Sequence, residues 1–468
     1  MISYFPKQIA YKAIFVFLIV LAFISVFFFD YSMSWGYVFL GVASVSFFFI
    51  LSSSITKTLR NSNRSVYVEY LFTVSLGLRL IWVIASYFYY IHTTGSPFEF
   101  EAADSIGYHE EAKWLASESW STVWFYYFGP LSYGISDVGY PLYLTALYRI
   151  IGPSIIVPRI IKAVLSSFTC YLLYKLASRT FGERTGRMAG IIAALMPNLI
   201  IYCGYHLKET EMLFLEVAFL ERFDYLIRSK RISLFSVLLP TLLAGSLFFF
   251  RTVLGVAALF SFVSTVILSS TPSLSKKSRR FALIGWSILF LFAMSGGTIA
   301  IETEGYWEQR DNNVISKRNS QTIRGNQWAQ YATGTVMAPM AFVLPYATMV
   351  NVDEQYSQQE KSGGNYVRNF MGFFALIAVY EAVRRKQWRE YITIGSFVIA
   401  YLGIVSISGF SNSERFLLPG LPGLILFWSY GIATLRKGTY KLLAPWCVVV
   451  FIMEFAWAYF KLGSRGLL

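Results

Sequence analysis

Ala13-Ile-Phe-Val-Phe-Leu-Ile-Val-Leu-Ala-Phe-Ile-Ser-Val-Phe-Phe28 contains no charged side chain and a single hydroxyl. A hydrocarbon core of about 30 Å needs roughly 20 apolar residues to cross it as a helix, and this stretch comes close. Residues 36–51 and 281–299 are similar. Backbone polar groups in lipid must be satisfied within the segment, so such runs are read as helices. The chain of 468 residues is 56% hydrophobic, 18% aromatic and only 14% charged, against about a quarter charged in an ordinary soluble domain. An all-α polytopic membrane protein is therefore expected. The first window is not read as a cleaved signal peptide, because no small-residue cleavage site follows Phe29-Asp30 and a second span comes at once.

The net charge of +14 would suggest a nucleic-acid partner in a soluble protein. Here the basic residues punctuate the apolar spans, so they are read as topology, with membrane lipids as the expected surroundings and no nucleic acid. Cys170, Cys203 and Cys447 lie in or beside apolar spans and suggest neither a disulfide framework nor a metal box.

Basic clusters in short loops face the cytoplasm. Lys57, Arg60 and Arg64, then Arg179, Arg184 and Arg187, then Arg228, Lys230 and Arg231, and later Arg384 to Lys386 mark successive inner turns. Honouring them requires two spans between Ile232 and Ser270 that turn outside near Arg251. It also keeps residues 302–369 outside, with the apolar piece 336–350 read as an interfacial or re-entrant helix. The expected layout has about 13 transmembrane helices, the N-terminus inside, the C-terminus outside, and two large external loops. Its units are an N-terminal hairpin at 1–66, a core at 67–301 that carries the first external loop at 93–157, a second external loop at 302–369, and C-terminal helices at 370–468.

The first loop is acidic and aromatic, and it is the most telling part of the chain. It carries Asp104, Tyr108, His109, Asp137 and Tyr140. Asp104 is expected at the start of a helix that places Tyr108, Ala112 and Leu115 at helical spacing. By residue type it is either that helix's N-cap or a catalytic carboxylate. Arg159, Lys162, Lys208, Arg251 and Arg415 all fall at external span ends on this layout, where the ordinary role of a cation is a head-group anchor. Glu209 is either a turn charge paired with Lys208 or a functional acid. Arg79 lies within the third span, where a charge must face a cavity or a partner; Glu216 and Glu454 are candidates for a buried pair, and a lipid phosphate is the alternative. Tyr306, Trp307, Trp328 and Tyr331 suit either sugar stacking or an aromatic belt.

Several motifs then fall in order. Asp104-x-x-x-Tyr108-His109-x-x-Ala112 is followed by Gly139-Tyr140-Pro141-Leu142-Tyr143-Leu144, Pro158-Arg159, Phe181-Gly182-Glu183-Arg184, Pro197-Asn198 through Tyr202, and Lys208-Glu209. Arg251 and Ser413-Glu414-Arg415-Phe416 with Pro419 and Pro422 complete the set. This series resembles the bacterial GT-C superfamily, multispan glycosyltransferases related to protein mannosyltransferases and aminoarabinose transferases. The likeness runs from about Tyr67 to Leu435 and leaves the first two helices without a counterpart.

The resemblance implies a sugar donor linked to a polyprenyl phosphate, a glycan, lipid or protein acceptor, and Asp104 as general base. It places the active site outside a bacterial cytoplasmic membrane. Arg159, Lys162, Lys208, Arg251 and Arg415 are the expected phosphate ligands; Tyr108, His109, Asp137, Tyr140 and Glu209 are the expected substrate contacts. Asp104 and Glu209 together have the hard oxygen ligands that a divalent cation takes. Two alternatives use the same layout: a polysaccharide polymerase or ligase with a lipid-diphosphate donor, and a lipid-linked oligosaccharide flippase. The early carboxylate-rich loop disfavours the first, and the scarcity of charges inside spans disfavours the second.

Overall fold

Apolar runs bounded by charged turns become three long helices at the start of the chain: α1 (Lys7–Phe27), α2 (Trp35–Leu59) and α3 (Arg64–Thr94). The structure, a computed structural model, describes residues 2–129, 135–229, 233–268, 340, 342–352, 355–407 and 413–468. The first loop folds as three short helices, α4 (Ala103–Ser117), α5 (Trp120–Phe128) and α6 (Gly139–Ile151). The central bundle follows with α7 (Ile156–Phe181), α8 (Glu183–Leu195), the short α9 (Pro197–Ile201), α10 (Glu209–Arg228), α11 (Leu234–Phe250) and α12 (Thr252–Leu268). After residue 340 come α13 (Tyr356–Glu360), α14 (Ser362–Arg384), α15 (Ile392–Ile407), α16 (Glu414–Leu417), α17 (Leu421–Thr434), α18 (Lys437–Tyr440) and α19 (Leu443–Gly463). Among the described residues there is no strand, only an isolated bridge between Ser32 and Val350.

Among the described residues seven helices are long and apolar enough to cross a membrane, or eight if one bent pair counts as a single span. That pair bends by 55° between Leu195 and Pro197. Met196 is extended there, as the residue before a proline prefers to be. The bend lets α14 approach closely: a Cβ at Gly364 would overlap the side chain of Asn198. Three further apolar helices, including α11 and α12, are shorter. Those two occupy the place where two spans turning at Arg251 are expected, and Arg251 is the break between them. The expected span at 281–299 lies outside the described residues, as do Tyr306, Trp307, Trp328 and Tyr331.

The apolar piece at 336–350 departs from the expected helix in its described part. Residues 342–352 run without helix and are largely buried. Pro345 has no N–H to continue a ladder, and the chain is held from outside instead. The Asn369 amide donates to the carbonyls of Val343 at 2.7 Å and Pro345 at 2.9 Å, and Asn351 N–H donates to Tyr31 O at 2.7 Å.

Of the alternatives for Arg79, the carboxylate pair is not formed: among the described residues neither Glu216 nor Glu454 meets it. Its guanidinium donates to Ser166 Oγ at 2.7 Å, to Ser75 Oγ at 2.8 Å and to the carbonyls of Ala193 and Ala194, which the bent pair exposes near its break. Five donors in a fixed fork suit such a spread of acceptors. Glu216 lies buried with neither carboxyl oxygen hydrogen-bonded.

The basic turns meet at one end of the bundle. Arg187 donates to the carbonyls of Leu59 and Ser62, Arg228 to that of Glu390, and Arg179 pairs with Asp224 at 2.6 Å. The helices that end there begin at the opposite end: α10 starts at Glu209 and α14 directly after Lys361. The carboxylates and cations of the candidate site gather at that opposite end.

Candidate active site

Asp104 lies in the first turn of α4, after an Ala102 N-cap that makes no side-chain bond. It is therefore not the N-cap, and its carboxylate is free to point across the molecule. There it accepts a hydrogen bond from the Arg415 guanidinium, which donates a second to the buried Glu209. Glu209 in turn faces Arg251 at 3.6 Å. Arg251 stands at the α11–α12 break, donates to the Tyr401 hydroxyl at 3.2 Å and lies 4.4 Å over the Phe416 ring. Asp104, Arg415, Glu209 and Arg251 thus form a line of alternating charge contributed by four separate parts of the chain. The cation between Asp104 and Glu209 is the Arg415 guanidinium, and among the described residues no group of three or more His, Cys, Asp and Glu is placed to hold a metal ion.

Lys208 extends the cluster. Its ammonium donates to Phe250 O at 3.0 Å and pairs with Asp137. Asp137 reaches it from a left-handed conformation, φ 69°, which aspartate tolerates better than most residues. Burial, with Arg251 close by, pushes the Lys208 ammonium well below its ordinary range. The expected pairing of Lys208 with Glu209 is replaced by these two separate sets of contacts. Tyr108 completes the group: burial raises the proton affinity of its hydroxyl against the pull of the Arg415 guanidinium, and its ring meets Tyr140 edge-on at 5.3 Å.

A cavity of about 170 Å³ adjoins the line of charge, with Asp104, Arg415, Lys361, Glu414, Tyr202 and Glu101 in its wall. Lys361 and Glu414 pair at 3.1 Å. Glu414 also accepts from Asn198 at 2.8 Å and from Tyr202 at 2.5 Å. The turn that carries Arg415 is therefore anchored by the bent helix pair, and two motifs that are separate in sequence, Asn198 to Tyr202 and Glu414-Arg415, are in direct contact. Lys361 was not anticipated. It lies in a stretch whose composition reads as external loop, and only its place beside an acid and two tyrosines marks it as more than a surface lysine.

Three of the expected residues belong to an inner layer instead. Arg159 pairs with Glu99 at 3.2 Å, and Glu99 also accepts from Ser105 and from the backbone N–H of His206. Lys162 donates to the carbonyls of Tyr205 and Leu207, faces Glu211 at 3.8 Å and lies 4.8 Å from the centre of the Tyr140 ring. Both cations are fully buried and neither lines the cavity; they hold the first loop onto α7 and α10. His109 accompanies them. It shares a hydrogen bond with the Tyr148 hydroxyl at 2.8 Å, which reaches His206 at 3.3 Å. Burial lowers the proton affinity of both imidazoles, and Lys162 and Arg159 lower that of His206 further.

Three acids, Asp104, Asp137 and Glu209, face three cations, Lys208, Arg251 and Arg415, so the cluster is balanced. The members differ in solvent access. Asp104 and Asp137 are 60% and 58% exposed, whereas Glu209 is fully buried. An arriving anion can displace the two exposed carboxylates from their cations far more readily than it can displace Glu209. No known protein family matches the chain, and no curated protein is significantly similar to it.

Proposed function

We propose that this chain is an integral membrane glycosyltransferase of the GT-C type, which moves one sugar from a polyprenyl-phosphate donor to an acceptor hydroxyl. The observation that carries this reading is the alternating line Asp104, Arg415, Glu209, Arg251, with Lys208 beside it, whose Asp104–Arg415 end lines a polar cavity while the other members lie buried behind it. The end of the bundle that holds it lies away from the basic turns, which supports an external site on the positive-inside rule. About 13 spans, with the N-terminus inside a bacterial cytoplasmic membrane, complete the proposal.

The chemistry suits the residues. The donor phosphate binds Arg415, Arg251 and Lys208, displacing Asp104 and Asp137. Asp104, released from Arg415, then faces the acceptor hydroxyl as general base. The acceptor oxygen attacks the anomeric carbon as its proton passes to Asp104. The bond from that carbon to the phosphate oxygen breaks, and the polyprenyl monophosphate departs with the electron pair, stabilised by the guanidinium groups. Glu209 stays between Arg415 and Arg251 and holds the two guanidinium groups in place.

The test is donor consumption by the purified protein in liposomes, with polyprenyl-monophosphate and polyprenyl-diphosphate sugars compared side by side. Release of polyprenyl monophosphate, dependent on Asp104, is expected. Turnover confined to the diphosphate donor would favour a polymerase or ligase, and turnover of neither would sink the transferase reading.

A further inference from the structure

A second cavity, a groove of about 850 Å³, lies beside the polar one. Its volume is in the range of sites for small molecules, about 300 to 1,000 Å³. Tyr37 and Phe39 from the first turns of α2 form one wall, and Trp82 and Tyr89 from the outer half of α3 form the other. Phe39 and Tyr89 are exposed, so the groove opens on the outside of the bundle, where lipid would lie. The α1–α2 hairpin that builds this wall precedes the part of the chain on which the glycosyltransferase resemblance rests. It is not idle packing.

Phe100 lines both cavities. Its ring meets Tyr356 of α13 at 5.6 Å, and Ser357 donates to Glu101 at 2.6 Å, so the partition is a thin wall between the groove and Asp104. Charge differs sharply on its two sides. Among the described residues no lysine or arginine lines the groove, and the one carboxyl is Glu360, which accepts hydrogen bonds from Tyr90 at 2.7 Å and Tyr205 at 2.9 Å. The neighbouring Lys361 lines the polar cavity instead. A phosphate in the groove would meet an acid and no cation, whereas aliphatic chains would meet aromatic faces.

The groove also reaches the charged line at one particular end. Arg251, at the far end, stands among α11, α12 and α15; Asp104, at the near end, is four residues beyond Phe100. Displacement at an anomeric carbon brings the attacking oxygen and the leaving phosphate in from opposite faces of the sugar. The acceptor must then arrive from the Asp104 side.

We infer that the groove seats the acceptor, and that the acceptor is an uncharged or cationic membrane lipid with a hydroxyl head group. Its chains lie between α2 and α3, and its hydroxyl passes Phe100 to reach Asp104. The inference rests on the transferase reading for the reaction but not for the binding.

The probe is a diacylglycerol bearing a diazirine in one acyl chain, added to the full-length protein in phosphatidylethanolamine liposomes and irradiated. Labelling is expected on residues 35–40 and 82–100. Gly36 lines the groove, and a Cβ there meets nothing within 4 Å, so Gly36→Trp fills the space without disturbing the helix. It should lower labelling by about tenfold or more, equivalent to roughly 1.4 kcal/mol, while hydrolysis of the polyprenyl-phosphate sugar to water in the absence of acceptor stays at the wild-type rate. Labelling that excess polyprenyl monophosphate displaces would make the groove a donor site and overturn the inference. So would labelling indifferent to Gly36→Trp, or labelling absent from both helices. If the wild-type protein consumes no donor at all, the transferase reading fails, and the labelling still decides whether the groove takes a lipid.

Discussion

The Asp104 carboxylate accepts a hydrogen bond from the guanidinium of Arg415, 311 positions away in the chain. Asp104 is 60% exposed, and pairs so open to solvent contribute little to stability, about 0 to 1 kcal/mol. Their arrangement therefore needs an explanation other than folding, and a base held in reserve until phosphate occupies Arg415 provides one.

Asp104→Asn tests it. Asparagine can still accept from Arg415, and α4 does not depend on this side chain for its cap. Thermal stability in detergent should stay at the wild-type value while sugar transfer falls by about 10² to 10⁴. Full activity in this variant would remove Asp104 from the chemistry.

Asp137→Asn should do the reverse for donor binding. The aspartate competes with phosphate for Lys208, and an exposed competitor of this kind is worth about 0.2 to 1 kcal/mol. Polyprenyl phosphate should bind up to about fivefold more tightly, measured by titration in detergent. Weaker binding would mean that Asp137 contacts the substrate directly.

Two buried glutamates of α10 should respond in opposite directions. Glu209 lies between two guanidinium groups, so Glu209→Gln leaves charges uncompensated and should cost about 3 to 5 kcal/mol. Glu216 has neither carboxyl oxygen hydrogen-bonded, and replacing an unsatisfied buried polar group with an apolar one of similar shape is neutral or stabilising. Glu216→Met should keep or raise the melting temperature; a marked fall would reveal a role for that carboxyl.

Glu360 should give the protein a pH-dependent stability. Burial pushes its carboxyl up from 4.5 to about 7, so the folded state holds a proton that the unfolded state releases. The stabilisation is complete below about pH 4.5 and is lost as pH rises through about 7, a swing on the order of 3 kcal/mol. Comparing wild type with Glu360→Gln cancels the contributions of other groups, such as His206, whose lowered proton affinity acts with the opposite sign. The difference between their melting temperatures should change steadily from pH 5 to 8; a constant difference would contradict the assignment.

Local signals made part of this architecture legible in the sequence. Charge-free runs gave the long helices, and Arg251 between two apolar stretches marked a real break. The residues of the first loop, with Glu209, Arg251 and Arg415, do meet, because order along the chain and alternation across the membrane together restrict which helix ends can be neighbours. Pairings within that set were not legible. Whether Glu209 faces Lys208 or Arg415 depends on helix rotation, which sequence spacing does not fix. Arg159 and Lys162 read like outward cations for the same reason, although α7 turns both inward onto Glu99 and Glu211. The piece at 342–352 misled because its composition reports burial faithfully and conformation not at all.

Helices α7 and α10 are fastened to each other at both ends. Lys162 meets Glu211 at one end, and Arg179 with Lys175 meets Glu221 and Asp224 at the other, about 25 Å away along α7 at 1.5 Å per residue. The inner-end clasp is hydrogen-bonded and the other is a looser charge contact, and together they oppose sliding and rotation of the pair. Glu209 and Lys208 ride on it and keep their height. Any opening beside the charged line therefore falls to the elements on either side: the α1–α2 hairpin on the groove side, and the α11–α12 break at Arg251 on the other.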